Sequence, residues 1–274
     1  MAIGWYPAPA KLNLFLHVLG RRSDGYHELQ TVFRLIDRAD RVGIAARSDG
    51  EIRFSGVFGE DNLCLRAARL LKAETGSREG CDLALEKTIP VGGGLGGGSS
   101  DAATTLMALN RIWKTGLNTK ELMKIALRLG ADVPFFLLGS NALGEGIGER
   151  LTRLDLPPAW YLVLVPQVSV STKETFSSAL TPKGKPLKIP PFFPGQGQND
   201  LESVVTARYP EVAAQLAWLR QHRPQARMTG SGACVFAEFE SEVQARVLHT
   251  QLPGGMNGFV AQGLEQHPLH DGTI

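Results

Sequence analysis

The chain is poor in several things, and each shortage removes a class of protein. Its 274 residues hold only three cysteines, Cys64, Cys81 and Cys234. An odd, widely spaced set argues against a disulfide framework and against a structural zinc site. The six histidines show no metal-ligand spacing. No apolar run approaches the ~20 residues of a membrane-spanning helix. The opening MAIGWYPAPAKLNLFLHVLG lacks the charged start and long apolar stretch of a secretory leader. An excess of one charge is missing too. The 29 Lys and Arg against 27 Asp and Glu leave +2, with no basic run. That removes an electrostatic footprint for nucleic acid, so an anionic ligand needs a local site. The expectation is a cytoplasmic protein with neither membrane nor nucleic acid as partner; the oligomeric state stays open.

What is present is an ordinary globular composition, 43% hydrophobic and 20% charged, long enough for one large domain or two ordinary ones. Period-two alternation over Lys11–Leu19 puts Leu12, Leu14, Leu16 and Val18 on one strand face. Lys11, Asn13, Phe15 and His17 fall on the other. Arg22-Ser23-Asp24-Gly25 reads as a turn and Tyr26–Ile36 as the returning strand, with shorter β pieces at Val42–Ala46 and Ile52–Phe54. A helix is expected over Asn62–Lys72, with Leu63, Ala67 and Leu70 inward, then a strand over Asp82–Ile89. Helices follow over Asp101–Trp113, over Lys120–Leu129 closed by Gly130, and over Phe135–Leu138 behind Pro134.

A second half begins near Leu156, dividing the chain into 1–155 and 156–274. It opens with the strand Trp160–Val165. A capping box at Ser171–Glu174 starts a helix carrying Phe176, and Pro182–Gly197 reads as a loop. Asn199-Asp200-Leu201-Glu202 caps another helix, and Glu211–His222 is helical. A TGSGA turn leads into the strand Cys234–Phe239. The helix Ser241–Gln251 and the strand Phe259–Leu264 close the chain. The order implies an α+β sandwich with antiparallel sheet, without tandem repeats.

The stretch Gly92–Ser100, GGGLGGGSS, is the most unusual in the chain. Glycine loses extra backbone entropy on folding, so something must offset six of them. Close approach of backbone N–H groups to a phosphate at the start of a helix does so. Gly92-x-Gly94-x-x-Gly97 satisfies the dinucleotide fingerprint as a string. Its preceding strand alternates and ends at Pro90, and the acidic residue of a second strand is missing. Gly93-x4-Gly98 resembles a P-loop, but Ser99 stands in the lysine position. Positive charge for the phosphates must come from elsewhere in the chain.

The pattern P-x-GGGLGGGSS-x-AA over Pro90–Ala103 resembles the phosphate loop of the GHMP kinases, which include galactokinase, homoserine kinase and mevalonate kinase. PAPAKLNLFLHV and TGSGACVF are similar to that family's first and third motifs. LGADVPFF, GEGIGERL and NDLE extend the likeness along the whole chain. They point to the branch acting on the 2-hydroxyl of 4-diphosphocytidyl-2-C-methyl-D-erythritol, in the non-mevalonate isoprenoid route. The resemblance implies a two-domain α+β GHMP kinase fold, with an N-terminal ATP-binding α/β domain and a ferredoxin-like C-terminal domain. Rival readings are a sister kinase acting on mevalonate or homoserine, a non-catalytic nucleotide-binding regulator and, more weakly, a dinucleotide-dependent oxidoreductase.

The resemblance also implies roles. Lys11 and Asp132 would form the catalytic centre, with Asp132 accepting the proton of the attacking hydroxyl or mainly orienting it. ATP would be held by Pro90, Val91, Gly92, Gly93, Gly94, Leu95, Gly96, Gly97, Gly98, Ser99 and Ser100, with Asn62 and Lys87 by the adenine. One of the serines would reach Mg²⁺. Asn13 would hold substrate, Tyr26 and Phe176 would stack on the cytosine, and His27 would hydrogen-bond it. Taken as residues alone, Asp132 reads as a helix cap, Lys11 as an exposed strand lysine and Phe176 as a buried helix residue. Asp101 reads as a helix-start residue pointing away from the phosphates.

Overall fold

The computed structural model describes residues 3–56, 59, 61–178 and 197–270. The chain starts with two long strands, β1 (Gly4–Arg21) and β2 (His27–Arg47), paired antiparallel along their whole length around the Arg22–Gly25 turn. β2 is the spine of the first sheet. Its far end pairs with β4 (Gly80–Glu86), which in turn holds β3 (Ile52–Ser55) in parallel. Its near end pairs with β5 (Ala142–Gly146), followed by β6 (Arg150–Arg153). The expected second strand and the Val42–Ala46 piece are thus one element. The β5–β6 hairpin escapes the sequence because its glycine-rich alternation is short.

Four helices pack with this sheet: α1 (Leu63–Thr75), α2 (Gly97–Ile112), α3 (Thr119–Leu127) and α4 (Val133–Leu138). α1 is turned from the expected face. It buries Cys64, Leu65, Ala67, Ala68 and Leu71, while Leu63 and Leu70 are only partly buried. α3 ends in a right-handed turn at Arg128, so Gly130 is not its cap. α2 starts four residues before Asp101, inside the glycine run. Glycine's poor helix propensity hides that first turn.

The second half is β7 (Trp160–Leu164), α5 (Thr172–Ser178), α6 (Glu202–Arg208), α7 (Pro210–His222), β8 (Arg227–Met228), β9 (Val235–Phe239), α8 (Glu242–His249) and β10 (Gly258–Gln262). Its sheet runs β10-β7-β9-β8, antiparallel throughout, the ferredoxin-like arrangement the resemblance implies. At α5, Ser171 Oγ accepts from Glu174 N, but the Glu174 carboxylate pairs with Arg208 at 2.7 Å, so only half of the capping box forms. The expected Pro182–Gly197 loop lies outside the described residues except for Gly197.

β1 serves both halves. A bulge between Asn13 and Phe15 breaks its alternation. Phe15 therefore joins Ala10, Leu12 and Leu14 in a core shared with Tyr161, Val163 and Phe236 of the second half, away from the Lys11 face. Leu16 and Val18 pack into the second half's own core. Lys11 and Asn13 precede the bulge and keep their shared face. Among the described residues no helix is long and apolar enough to cross a membrane.

Candidate active site

A cleft of about 990 Å³ is lined by both halves. Lys11 lies on its floor, 3% exposed. An ammonium buried that far needs partners. Its Nζ donates to Asn13 Oδ1 at 2.5 Å and to Gly94 O at 3.0 Å, and lies 3.4 Å from Asp132 Oδ2 and 5.6 Å from the centre of the Phe33 ring. Asn13 is fixed in turn. Its Nδ2 donates to Thr31 Oγ1 at 2.8 Å and its backbone N to Thr229 Oγ1 at 2.9 Å. Asp132 stands just before α4 but its side chain caps no helical N–H. The ordinary capping role is therefore unused. The carboxylate, about one-third exposed, faces the cleft beside Lys11.

The glycine loop is held by its carbonyls. Gly92 O accepts from Ala233 N at 3.3 Å, Gly93 O from Cys234 N at 3.1 Å and Gly94 O from Lys11 Nζ and Thr229 Oγ1. Leu95 O accepts from Lys11 N, and Gly96 O from Ser100 N. No N–H from Gly92 to Ser99 donates to a described residue. The scaffold thus takes the acceptors and leaves a run of donors in a segment that lines the cleft, which is what an anion-binding nest requires. Left-handed φ values at Gly92, Gly94 and Gly96 (+71°, +75° and +71°) make this path possible. A Cβ on Gly94 would lie 2.3 Å from Thr229 O. Ser99 lines the cleft. Ser100, expected among the phosphate ligands, is fully buried and lies outside the cleft lining, because the helix has already turned it inward.

Pro90, Val91, Asn62 and Lys87 also line the cleft. Asn62 caps α1, its Oδ1 accepting from Cys64 N at 2.8 Å. Lys87 is not a free lysine. It pairs with Asp40 and, at 2.8 Å, with Asp101. Asp101 stands one turn inside α2 and is buried, its carboxylate turned to Lys87. Burial raises its carboxyl pKa, with Lys87 opposing and Asp40 adding to the rise. Asp40, fully buried, also accepts from the backbone of Thr88 and Ile89, the last residues before Pro90. The sequence shows no sign of this triad, since nothing distinguishes Asp40 from the other charges of β2.

The other end of the cleft is made of side chains. Tyr26, 59% exposed, and His27 follow the first turn, and Phe176 reaches them from α5. The His27 and Phe176 rings lie 5.4 Å apart. Burial, and then the charge of Arg21, hold His27 below the ordinary imidazole pKa. Thr172 Oγ1 and Ser231 Oγ, 2.8 Å apart, join α5 to the Gly230–Gly232 turn. Asn199 Nδ2 holds that turn through Met228 O and Gly230 O. Asn199 and Thr172 were invisible as site supports because their partners are distant in sequence.

Residues 62–140 match the model of the GHMP kinases N terminal domain, and residues 194–256 that of the GHMP kinases C terminal domain. A 4-diphosphocytidyl-2-C-methyl-D-erythritol kinase of Nitrosospira multiformis is 61% identical, covering 97% of this chain and 92% of that one. This chain belongs to the GHMP kinase family. A second GHMP kinase relative of the same name, from Dechloromonas aromatica, is 54% identical over 96% of this chain and 98% of its own. A crystal structure of 4-(cytidine 5'-diphospho)-2C-methyl-D-erythritol kinase superposes with a TM-score of 0.82 at 36% identity, covering 95% and 99% of the two chains. Mevalonate kinase of Methanococcus jannaschii superposes with a TM-score of 0.68 at 15% identity over 96% of this chain and 98% of its own, a likeness of fold alone. GHMP kinases are ATP-dependent, which fits the donor-rich loop.

Proposed function

We propose that this GHMP kinase transfers the γ-phosphoryl group of ATP to the 2-hydroxyl of 4-diphosphocytidyl-2-C-methyl-D-erythritol, a step of non-mevalonate isoprenoid precursor synthesis. One observation carries the reading: a single cleft joins a backbone cradle for phosphate, a Lys–Asp pair and an aromatic end fit for a flat base. The N-terminal unit (1–155) supplies the cradle and the pair; the C-terminal unit (156–274) supplies Phe176 and the turn that holds the loop.

The unpaired N–H groups from Gly92 to Ser99 bind the β- and γ-phosphates, aided by the dipole of α2. Lys11 reaches from the floor toward the same phosphates and the acceptor oxygen. Asp132 receives or orients the hydroxyl proton, and Lys11 stabilises the charge that develops. Phosphoryl transfer depends mainly on such positioning and charge stabilisation. Asn13 orders Lys11 and the substrate. Tyr26 and Phe176 enclose the cytosine while the neutral imidazole of His27 hydrogen-bonds its edge.

Mg²⁺ commonly keeps one or two protein oxygens and takes its remaining ligands from phosphates and water. Ser99 and Asp132 both line the cleft and offer oxygens that would suit such a hard cation, with Ser99 as its holder. When bound, the ion neutralises phosphate charge. Three buried, unpaired thiols accord with a cytoplasmic setting.

The test is ADP release with Mg²⁺-ATP on 4-diphosphocytidyl-2-C-methyl-D-erythritol, mevalonate and homoserine in parallel. Turnover with the first alone is expected. Turnover with either of the others instead would cancel the cytidyl assignment and keep the kinase.

A further inference from the structure

Among the described residues, four Lys or Arg side chains line the cleft: Lys11, Arg21, Lys87 and Lys173. Two are committed to the protein. Lys11 is held by Asn13, Gly94 and Asp132, and Lys87 by Asp40 and Asp101. Neither the Arg21 nor the Lys173 side chain makes a hydrogen bond or ion pair with any described residue. Their neighbours show that this is not general. Arg22 pairs with Asp24 and Glu28, and Glu174 pairs with Arg208.

These two cations, without a partner among the described residues, flank the same end of the cleft. Arg21 ends β1, opposite His27 in the ladder, and its charge acts on that imidazole. Lys173 precedes Phe176 by three residues, one turn of α5. Phe176 packs on His27. A base held between Tyr26 and Phe176 carries its 5′-diphosphate away from the ring, and about two negative charges then need neutralising. The N–H groups of the glycine loop serve the phosphates of the other nucleotide.

We propose that Arg21 and Lys173 form a diphosphate subsite that recognises the pyrophosphate link of a cytidine-diphosphate ligand. This rests on the cytidyl reading above. Guanidinium and ammonium groups bind phosphate oxygens through charge-assisted hydrogen bonds that weaken with salt. The subsite discriminates a nucleoside diphosphate from the bare nucleoside, whereas the aromatic end binds both.

The test is calorimetric titration of the full chain with CDP, with cytidine and with ATP at low salt, before and after R21Q/K173Q. Both residues are exposed, so the double variant keeps the fold; unchanged ATP affinity verifies this. The expected result is a roughly tenfold loss of CDP affinity, cytidine affinity unchanged, and a CDP preference that falls with added salt in the unsubstituted protein only. An unchanged ratio of CDP to cytidine affinity in the double variant, with cytidine still bound, overturns the subsite alone. Failure of the unsubstituted protein to bind either cytidine ligand while it binds ATP overturns the cytidyl reading and the subsite with it. An equal loss for CDP and ATP also overturns it, since a general field and not a subsite is then at work.

Discussion

One end of the cleft presents backbone; the other presents side chains. The glycine loop offers N–H groups whose carbonyl partners are bound by Lys11, Thr229, Ala233 and Cys234, so its shape is fixed before any nucleotide arrives. The end proposed for the cytosine has the Arg22–Gly25 turn, the Thr172–Ser231 hydrogen bond, a tilted His27–Phe176 contact and an exposed Tyr26. A backbone site is costly to alter at Gly92, Gly94 and Gly96, whose φ is left-handed, and at Gly93, where a Cβ would lie 2.6 Å from Cys234 Sγ. A side-chain site is easier to alter, because one group can be removed without rebuilding the backbone, although neighbours in contact such as His27 and Phe176 are coupled.

That contrast can be broken or sharpened by substitution. The largest effect should come between the two ends. Asp132→Asn keeps its shape but loses the proton acceptor, and kcat should fall by roughly 10²–10⁴ with ATP affinity retained. Single-turnover kinetics with separate ATP titration checks this, and unchanged kcat removes Asp132 from the mechanism. Next is Gly94→Ala, which forces a Cβ against Thr229 O at a left-handed φ. Strain and overpacking together should cost about 2–4 kcal/mol of stability and most of the ATP affinity. Urea unfolding and ATP titration measure both, and a variant that binds ATP normally would show that the loop is not preset.

Tyr26→Ala should be milder. Losing one stacking face should raise KM for the cytidyl substrate about tenfold and leave KM for ATP nearly unchanged. A selective rise for ATP would exchange the two ends. The smallest effect concerns protons. Burial and Arg21 both disfavour the imidazolium of His27, so it stays neutral further into acid than a free histidine. With its folded pKa lowered, His27 costs no stability above the ordinary imidazole value. It destabilises the fold as pH falls from there through the folded pKa. Arg21→Gln removes the repelling charge and should move the His27 titration upward, read from its ring proton in NMR. A downward movement would mean that Arg21 does not act on His27.

The same contrast explains what could be read in the sequence. Glycine density betrays a backbone site directly, and the alternation around Lys11 placed it with Asn13 on one face. The start of α2 does not show in the sequence, because glycines proposed to bind phosphate are also its first helical residues, and propensity argues against them. Ser100 lies inside the fold and off the cleft for that reason. At the other end, Tyr26, His27 and Phe176 are unremarkable residues. Only the family likeness singled them out, and only tertiary structure brings α5 to the first turn. Asp40 left no trace, because a charge in a strand gives no sign of burial until its lysine is known.

The core shared by Ala10, Leu12, Leu14, Phe15, Tyr161, Val163 and Phe236 has a consequence for the molecule as a material. Each half has a core of its own, but this third cluster is closed only by both together. Separating them would uncover that seam together with Leu16 and Val18, which the second half keeps in its own core. At roughly 1.5–3 kcal/mol for each large side chain, the seam outweighs the net stability of a typical domain. The chain should therefore melt in one transition, and what passes for two domains in the sequence behaves as a single cooperative body.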